Sequence, residues 1–125
     1  MSVKMTPEEV LRAVTEGINN GDLDSLMKLY EPDACFASQP GQLSKSPAGI
    51  RECLRNFIDM NGKLELEVKR VLKANDVALV TTDWSFSGTG PDGKPVSLTA
   101  KSADVLRQQP DGTWRFVIDN PWGTD

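Results

Sequence analysis

The sequence contains no histidine. That absence removes the Ser-His and Cys-His pairs that activate many protein nucleophiles, and with them most zinc sites. Cysteine is nearly as scarce. Cys35 and Cys53 sit in hydrophobic contexts without metal-ligand spacing, so reduced, buried thiols in a cytoplasmic protein are the expectation. Cations are outnumbered, 14 Lys and Arg against 18 Asp and Glu, which leaves a net charge of −4 and a pI near 4.8. Binding to phosphate backbones or anionic lipid needs clustered Lys and Arg, so neither nucleic acid nor membrane is an expected partner. No apolar run approaches the ~18 residues of a membrane span, and the opening "MSVKMTPEEV" has no apolar core of a secretory leader. The scattered Asp and Glu show no calcium-loop spacing. No protein-bound metal and no cofactor are expected.

One segment imitates a phosphate site. "GTGPDGK" satisfies G-x-G-x-x-G from Gly88 to Gly93. Such motifs work by presenting helix N-terminal amides to an anion. Here a strand-like run follows, so the glycines read as a turn.

What is present suits one domain spanning residues 1–125, since a chain of this length builds one core and no second. Thr6-Pro7-Glu8-Glu9 combines a hydroxyl N-cap, Pro at the first turn and a Glu able to close a capping box. Val10, Leu11, Val14 and Ile18 then share one helical face, and Asn19-Asn20-Gly21 ends the helix. Asp22 caps a short second helix with Leu23, Leu26, Met27 and Tyr30 on its apolar side, broken by Glu31-Pro32-Asp33. A brief strand, Ala34 to Ser38, leads into the loop "QPGQLSKS". Ser46 and Pro47 open a third helix with Ile50, Leu54, Phe57 and Ile58 inward, closed by Asn61-Gly62.

After Gly62 the apolar period changes from 3.6 to 2. "KLELEVKRVLKA" alternates Leu64, Leu66 and Val68 against charged neighbours, as a half-solvated strand does. "VALVTTDWSFSG", "VSLTAKSADVLRQQ" and "TWRFVID" follow, separated by Asn75-Asp76, "GTGPDGKP" and Pro110-Asp111-Gly112. Consecutive strands with tight turns form an antiparallel meander, so the class is α+β.

This order of elements, with "NNGDLDSLMKLYEPDACF" and the ending "DGTWRFVIDNPWG", resembles the nuclear transport factor 2-like superfamily, in its SnoaL-like and ketosteroid isomerase-like branch. The resemblance spans nearly the whole chain. It implies a cone-shaped curved antiparallel sheet wrapped around three N-terminal helices, the roll shared with cystatin-like folds, with a deep apolar pocket inside. It also implies a homodimer formed through the outer face of the sheet. The fold hosts isomerases, cyclases, dehydratases and non-catalytic domains, so it specifies architecture more strongly than reaction.

Strand parity selects candidates for the pocket. In the strand after Asn75-Asp76, Val80, Thr82, Trp84 and Phe86 form the bulkier row and should face the helices, leaving Asp83 outside. In the next strand the row Val96, Leu98, Ala100, Ser102, Asp104 and Leu106 has Asp104 as its one ionisable member. A carboxyl on an apolar face loses hydration, so its pKa should rise and it can donate a hydrogen bond as a neutral acid. The resemblance places Asp104 where the isomerases keep such an acid; a structural hydrogen bond or a nearby cation is the alternative reading. Asp119 lies where SnoaL-like cyclases carry an acid for proton transfer. It equally suits a turn before Pro121, because Asx side chains bond local backbone. Trp114, Phe116 and Ile118 share a row and read as packing. Tyr30, Phe36, Phe57, Met60, Trp84 and Trp122 could wall an apolar ligand or simply form the core.

The resemblance stops short of steroid isomerisation. The isomerases' oxyanion tyrosine corresponds here to Val14, its supporting tyrosine to Leu54, and the catalytic base to Ser38 or Gln39. The expected function is binding of a small apolar organic molecule in the cone, with Asp104 and Asp119 as a titratable pair for cofactor-free isomerisation, cyclisation or dehydration. The alternative is a non-catalytic ligand-binding, dimerisation or docking domain.

Overall fold

The computed structural model describes residues 5–124. The helices come first: α1 (Pro7–Asn20), α2 (Leu23–Met27) and α3 (Pro47–Asp59). The capping box forms as its spacing predicts, with Glu9 N donating to Thr6 Oγ1 at 3.2 Å and Thr6 N to Glu9 Oε1 at 3.0 Å. Gly21 closes α1 in the left-handed region at φ 69°, which glycine adopts without a Cβ penalty. Asp22 and Ser46 cap α2 and α3 by accepting the amides of Ser25 and Gly49.

The strands are β1 (Tyr30–Gln39), β2 (Gln42–Ser44), β3 (Lys63–Ala74), β4 (Val77–Thr89), β5 (Pro95–Gln108) and β6 (Trp114–Asp119). They make one six-stranded sheet in the order β2-β1-β6-β5-β4-β3. All neighbours are antiparallel except β1 and β6. The sheet is curved and unclosed, and it wraps the helices. The glycine-rich segment from Gly90 to Lys94 is the β4–β5 hairpin turn, closed by Gly90 N to Lys94 O at 2.9 Å.

Three local expectations need correction. Tyr30 is not on the apolar side of α2; it is the first residue of β1. The strand foreseen as Ala34 to Ser38 runs from Tyr30 to Gln39, because its partner β6 supplies a ladder that single-strand propensity cannot see. The loop "QPGQLSKS" contains β2, folded back on β1 with Gln39 opposite Gln42.

A fourth correction sets up the site. Trp114 and Phe116 are buried, but Ile118, of the same alternating row, is 37% exposed and Asp119 is 8% exposed. Leu106 pairs with Phe116 while Val105 pairs with Ile118, so one step along β5 matches two along β6. Val117 is the extra residue of a β-bulge, and the bulge inverts the parity of everything after it.

The core lies between the concave face and the helices. Val10, Leu26, Ile50, Phe86, Leu106 and Phe116 are essentially inaccessible to solvent, each contributing about 1.5–3 kcal/mol relative to exposure. β3 is an edge strand, and α1 covers its start. The Asn19 side chain donates to Leu64 O at 2.9 Å and accepts from Leu64 N at 2.7 Å. It thereby stands in for a neighbouring strand where edge amides would otherwise lack partners.

Candidate active site

The concave face and the helices enclose a cavity of about 60 Å³. α1 and α3 contribute Leu11, Val14, Ile18, Leu54 and Phe57; β1, β3 and β4 contribute Phe36, Leu64, Leu66 and Trp84. β5 and β6 add Phe116 together with the polar members, Ser102, Asp104 and Asp119, and Pro121 follows β6. The chamber is apolar with one polar end.

That end is built by sheet register. Asp104 and Asp119 each stand one step beyond the Val105–Ile118 pair on adjacent strands. With the bulge in place both carboxyls point inward, Asp104 being 1% exposed. Thr82 lies directly opposite Ser102, and their hydroxyls meet at 2.5 Å. Ser102 Oγ donates to Asp104 Oδ2 at 3.0 Å, and the backbone N–H of Asn120 donates to Asp104 Oδ1 at 2.8 Å. On the other side the Tyr30 hydroxyl donates to Asp119 Oδ2 at 2.5 Å. The two carboxyls are neighbours on adjacent strands, close enough for the charge of Asp119 to act on Asp104. Among the described residues every buried side-chain nitrogen and oxygen has a partner.

The five ion pairs found among the described residues all lie elsewhere, so neither carboxyl has a cation. A carboxylate buried without a counter-charge is costly, and a second beside it more so; a proton is the remedy. Burial first, and then the charge of Asp119, push Asp104 well above the ordinary carboxylate range. Burial raises Asp119 to about 6, against the lowering effect of the bond from Tyr30 and of Asp104. The two carboxyls therefore titrate as a coupled pair, and the larger upward shift of Asp104 favours it as the protonated partner.

The candidate residues fall into two groups. Asp104, Asp119, Phe36, Phe57 and Trp84 line the cavity, whereas Tyr30, Met60 and Trp122 do not. Tyr30 is buried one layer behind, stacked on Phe116 with ring centroids 5.0 Å apart. Met60 packs against the core at the end of α3, where its carbonyl accepts Thr89 N at 2.8 Å. Trp122 meets Trp84 edge-on at 5.7 Å and donates Nε1–H to Ala37 O at 3.0 Å. Trp84 in turn donates to Pro121 O at 2.7 Å, so the segment after β6 is strapped across the site. Asp119 is not the turn residue that its position before Pro121 allowed. Asn120 takes that part, accepting Trp122 N and donating to Gly123 O.

Sequence reasoning passed over Ser102 and Thr82 as chemistry, although both stand on the inward rows. The signal was available: neutral hydroxyls on an apolar face near a buried acid are its natural partners. Val14 and Leu54 do occupy the cavity wall, as apolar groups where a steroid isomerase would carry tyrosines. Ser38 is turned to the β1–β2 hairpin, its hydroxyl 3.5 Å from Gln42 O. Among the described residues no cluster of His, Cys, Asp or Glu has a metal-binding arrangement, and no helix is long and apolar enough to cross a membrane.

Comparison with known proteins agrees with this architecture. A ketosteroid isomerase-like protein from Erwinia carotovora atroseptica superposes with a TM-score of 0.76 at 18% identity, covering 90% of this chain and 88% of that one. An NTF2-like family protein from Streptomyces avermitilis, proposed to be a dehydratase, gives 0.75 at 18% identity over 90% of each chain. A protein from Thiobacillus denitrificans, proposed to be a calcium/calmodulin-dependent protein kinase type II association domain, gives 0.76 at 16% identity over 96% of each. At such identities the likeness is one of fold. No curated protein matches the sequence. The match of residues 11–117 to the SnoaL-like domain covers most of the length and every cavity-lining residue except Asp119 and Pro121. The chain thus belongs to the SnoaL-like domain family.

Proposed function

We propose that this protein binds a small, largely apolar carbonyl compound in its cone and moves a proton on it by cofactor-free acid-base catalysis, as an isomerase, cyclase or dehydratase. One observation carries the reading. Two buried carboxyls, side by side on adjacent strands and without a cation, stand at the single polar end of an apolar chamber. Asp104, the protonated partner, would donate to the ligand oxygen and stabilise an enolate as it forms. Asp119, with a pKa of about 6, would take the proton from the adjacent carbon, since a base works best when its pKa lies near the operating pH. The chamber of about 60 Å³ is smaller than the several hundred Å³ of most ligand sites. A larger ligand would therefore have to move wall residues such as Pro121 and Trp84. Steroid isomerisation by a tyrosine oxyanion hole is not supported, because Val14 and Leu54 offer no donors.

The test is deuterium incorporation at the α-carbon of neutral aromatic ketones in heavy water, with Trp fluorescence reporting binding. Asp104→Asn and Asp119→Asn should each abolish exchange while binding persists. Binding without exchange in the unaltered protein would leave a ligand-binding module. Absence of binding would favour a docking domain.

The partner at the outer face, in this reading, is a second copy of the chain. Leu72, Leu79, Val105, Ile118 and Cys35 stand opposite one another on five adjacent strands as one apolar row across the sheet. Glu67 and Asp83 lie toward one side of the row, paired with Lys69 and Lys101, and Arg107 and Arg115 toward the other, where Arg107 pairs with Glu31. A two-fold axis lets this one apolar row meet its own copy. The two free thiols suit the reducing cytoplasm.

A further inference from the structure

Tyr30 is the chain's single tyrosine. It is 4% exposed, yet it forms no part of the cavity wall. Its ring lies behind two wall residues, stacked on Phe116 at 5.0 Å and tilted against Phe36 at 6.5 Å. From there its hydroxyl reaches Asp119 Oδ2 at 2.5 Å. Burial, and then the charge of Asp119, raise the phenol well above its ordinary pKa of 10. It is neutral at any working pH and can only donate to the carboxylate.

The partners of the two acids are otherwise unequal in the opposite sense. Asp104 receives two donors of its own, Asn120 N–H at 2.8 Å and Ser102 O–H at 3.0 Å. Asp119 has the phenol. A carboxylate is stabilised by every hydrogen bond donated to it, so donor count alone would put the shared charge on Asp104. The phenol bond, at 2.5 Å, is the shortest of the three, and the shortest O–H bonds to an ionised carboxylate are the strongest of their kind, so it opposes that preference. Nothing else nearby competes. α1 presents Leu11, Val14 and Ile18, while β3 and β4 present Leu64, Leu66 and Trp84. The Cys53 thiol of α3 is the one other ionisable group felt by Tyr30, and its effect is the weakest of those acting there.

We infer that Tyr30 is a positioning residue: acting through Asp119, its phenol makes that carboxyl the acceptor of the pair and leaves Asp104 the donor that meets the ligand. The inference rests on the acid-base reading for its consequence, but the placement of charge can be measured without turnover.

The measurement is a carboxyl-carbon NMR titration of protein labelled with ¹³C-aspartate, with Asp104 and Asp119 assigned by single Asn replacements. In the unaltered protein Asp119 should titrate near pH 6 while Asp104 stays protonated. Tyr30→Phe keeps the ring stack and removes one oxygen. Asp119 should then bind its proton at least tenfold more tightly, a shift of about one pH unit or more, and Asp104 should become the first of the two to ionise. An unchanged order overturns the inference. Should Tyr30→Phe fail to fold, biosynthetic replacement of the single tyrosine by a ring-fluorinated analogue keeps the bond and makes the phenol a stronger donor. The Asp119 midpoint must then fall, and an unmoved midpoint is equally fatal. In the exchange assay Tyr30→Phe should slow turnover with ligand binding unchanged. A reversed titration order in a protein that exchanges no ligand protons would sink the acid-base reading and leave the charge placement standing.

Discussion

Tyr30 and Asp119 lie 89 residues apart in sequence and meet at 2.5 Å in the core. The contact joins the first residue of β1 to the last of β6, and it stands beside the buried bonds that link Asp104 through Ser102 to Thr82. Every member is enclosed, so the charge state of this group is coupled to folding.

Stability should rise as the solution is made mildly acidic. Asp119 titrates at about 6 in the folded protein, above its ordinary value of 3.8. The unfolded chain therefore binds fewer protons between those values, and the stabilisation is complete below about pH 4 and lost as pH climbs through 6. Between pH 7 and 5 the gain should be about 1 kcal/mol, or roughly 3–5 °C in Tm. Calorimetry across that range should show it, and Asp119→Asn should abolish it. The exposed caps Glu9 and Asp22 have lowered values, and their contribution fades only as pH falls below about 4.5.

The strap after β6 should control access to the cavity. Trp122→Ala removes the edge contact with Trp84 and the bond to Ala37 O, costing about 2 kcal/mol in urea unfolding. Trp122→Phe keeps the ring and should cost about 1 kcal/mol. In stopped-flow binding of an apolar fluorophore, Trp122→Ala should speed both association and dissociation and leave Kd nearly unchanged. A weaker Kd with an unchanged association rate would mean that Trp122 is a wall residue after all.

Gly62, at the turn from α3 into β3, should accept no side chain. A Cβ there would stand 2.0 Å from Ser87 O and 2.7 Å from Gly88 Cα. Both obstacles are backbone, so neither can rotate away. Gly62→Ala should cost about 2–3 kcal/mol, measured by thermal unfolding, with the damage centred on the α3–β4 contact.

Disrupting the apolar row on the outer face should dissociate the proposed dimer. Leu79 and Ile118 are each more than a third exposed in the single chain. Leu79→Lys with Ile118→Lys should convert a dimer to a monomer by light scattering. It should also remove the concentration dependence of Tm that an associating protein shows. A monomeric unaltered protein would exclude this interface.

Much of the architecture was legible in the chain. The capping box at Thr6, the helix stop at Gly21 and the inward rows of β4 and β5 are local or periodic signals, and each holds in three dimensions. Asp104 could be picked out because its strand has no irregularity against β4 over the paired residues, so parity counted along the sequence remains true in space. Tyr30 was misplaced because the apolar spacing of the α2 segment extends to it. Only the pairing of β1 with β6 shows that the helix has already ended.

Composition and periodicity by themselves determined the α+β class, the absence of histidine, and one ionisable residue on the inner row of β5. They could not determine where Asp119 points. Its direction depends on Val117, an unpaired residue whose existence is defined only against β5. Strand alternation is a local rule and a bulge is a relation between two strands, so the second acid, a candidate by resemblance, could be turned inward beside Asp104 only once β6 was laid beside its neighbour.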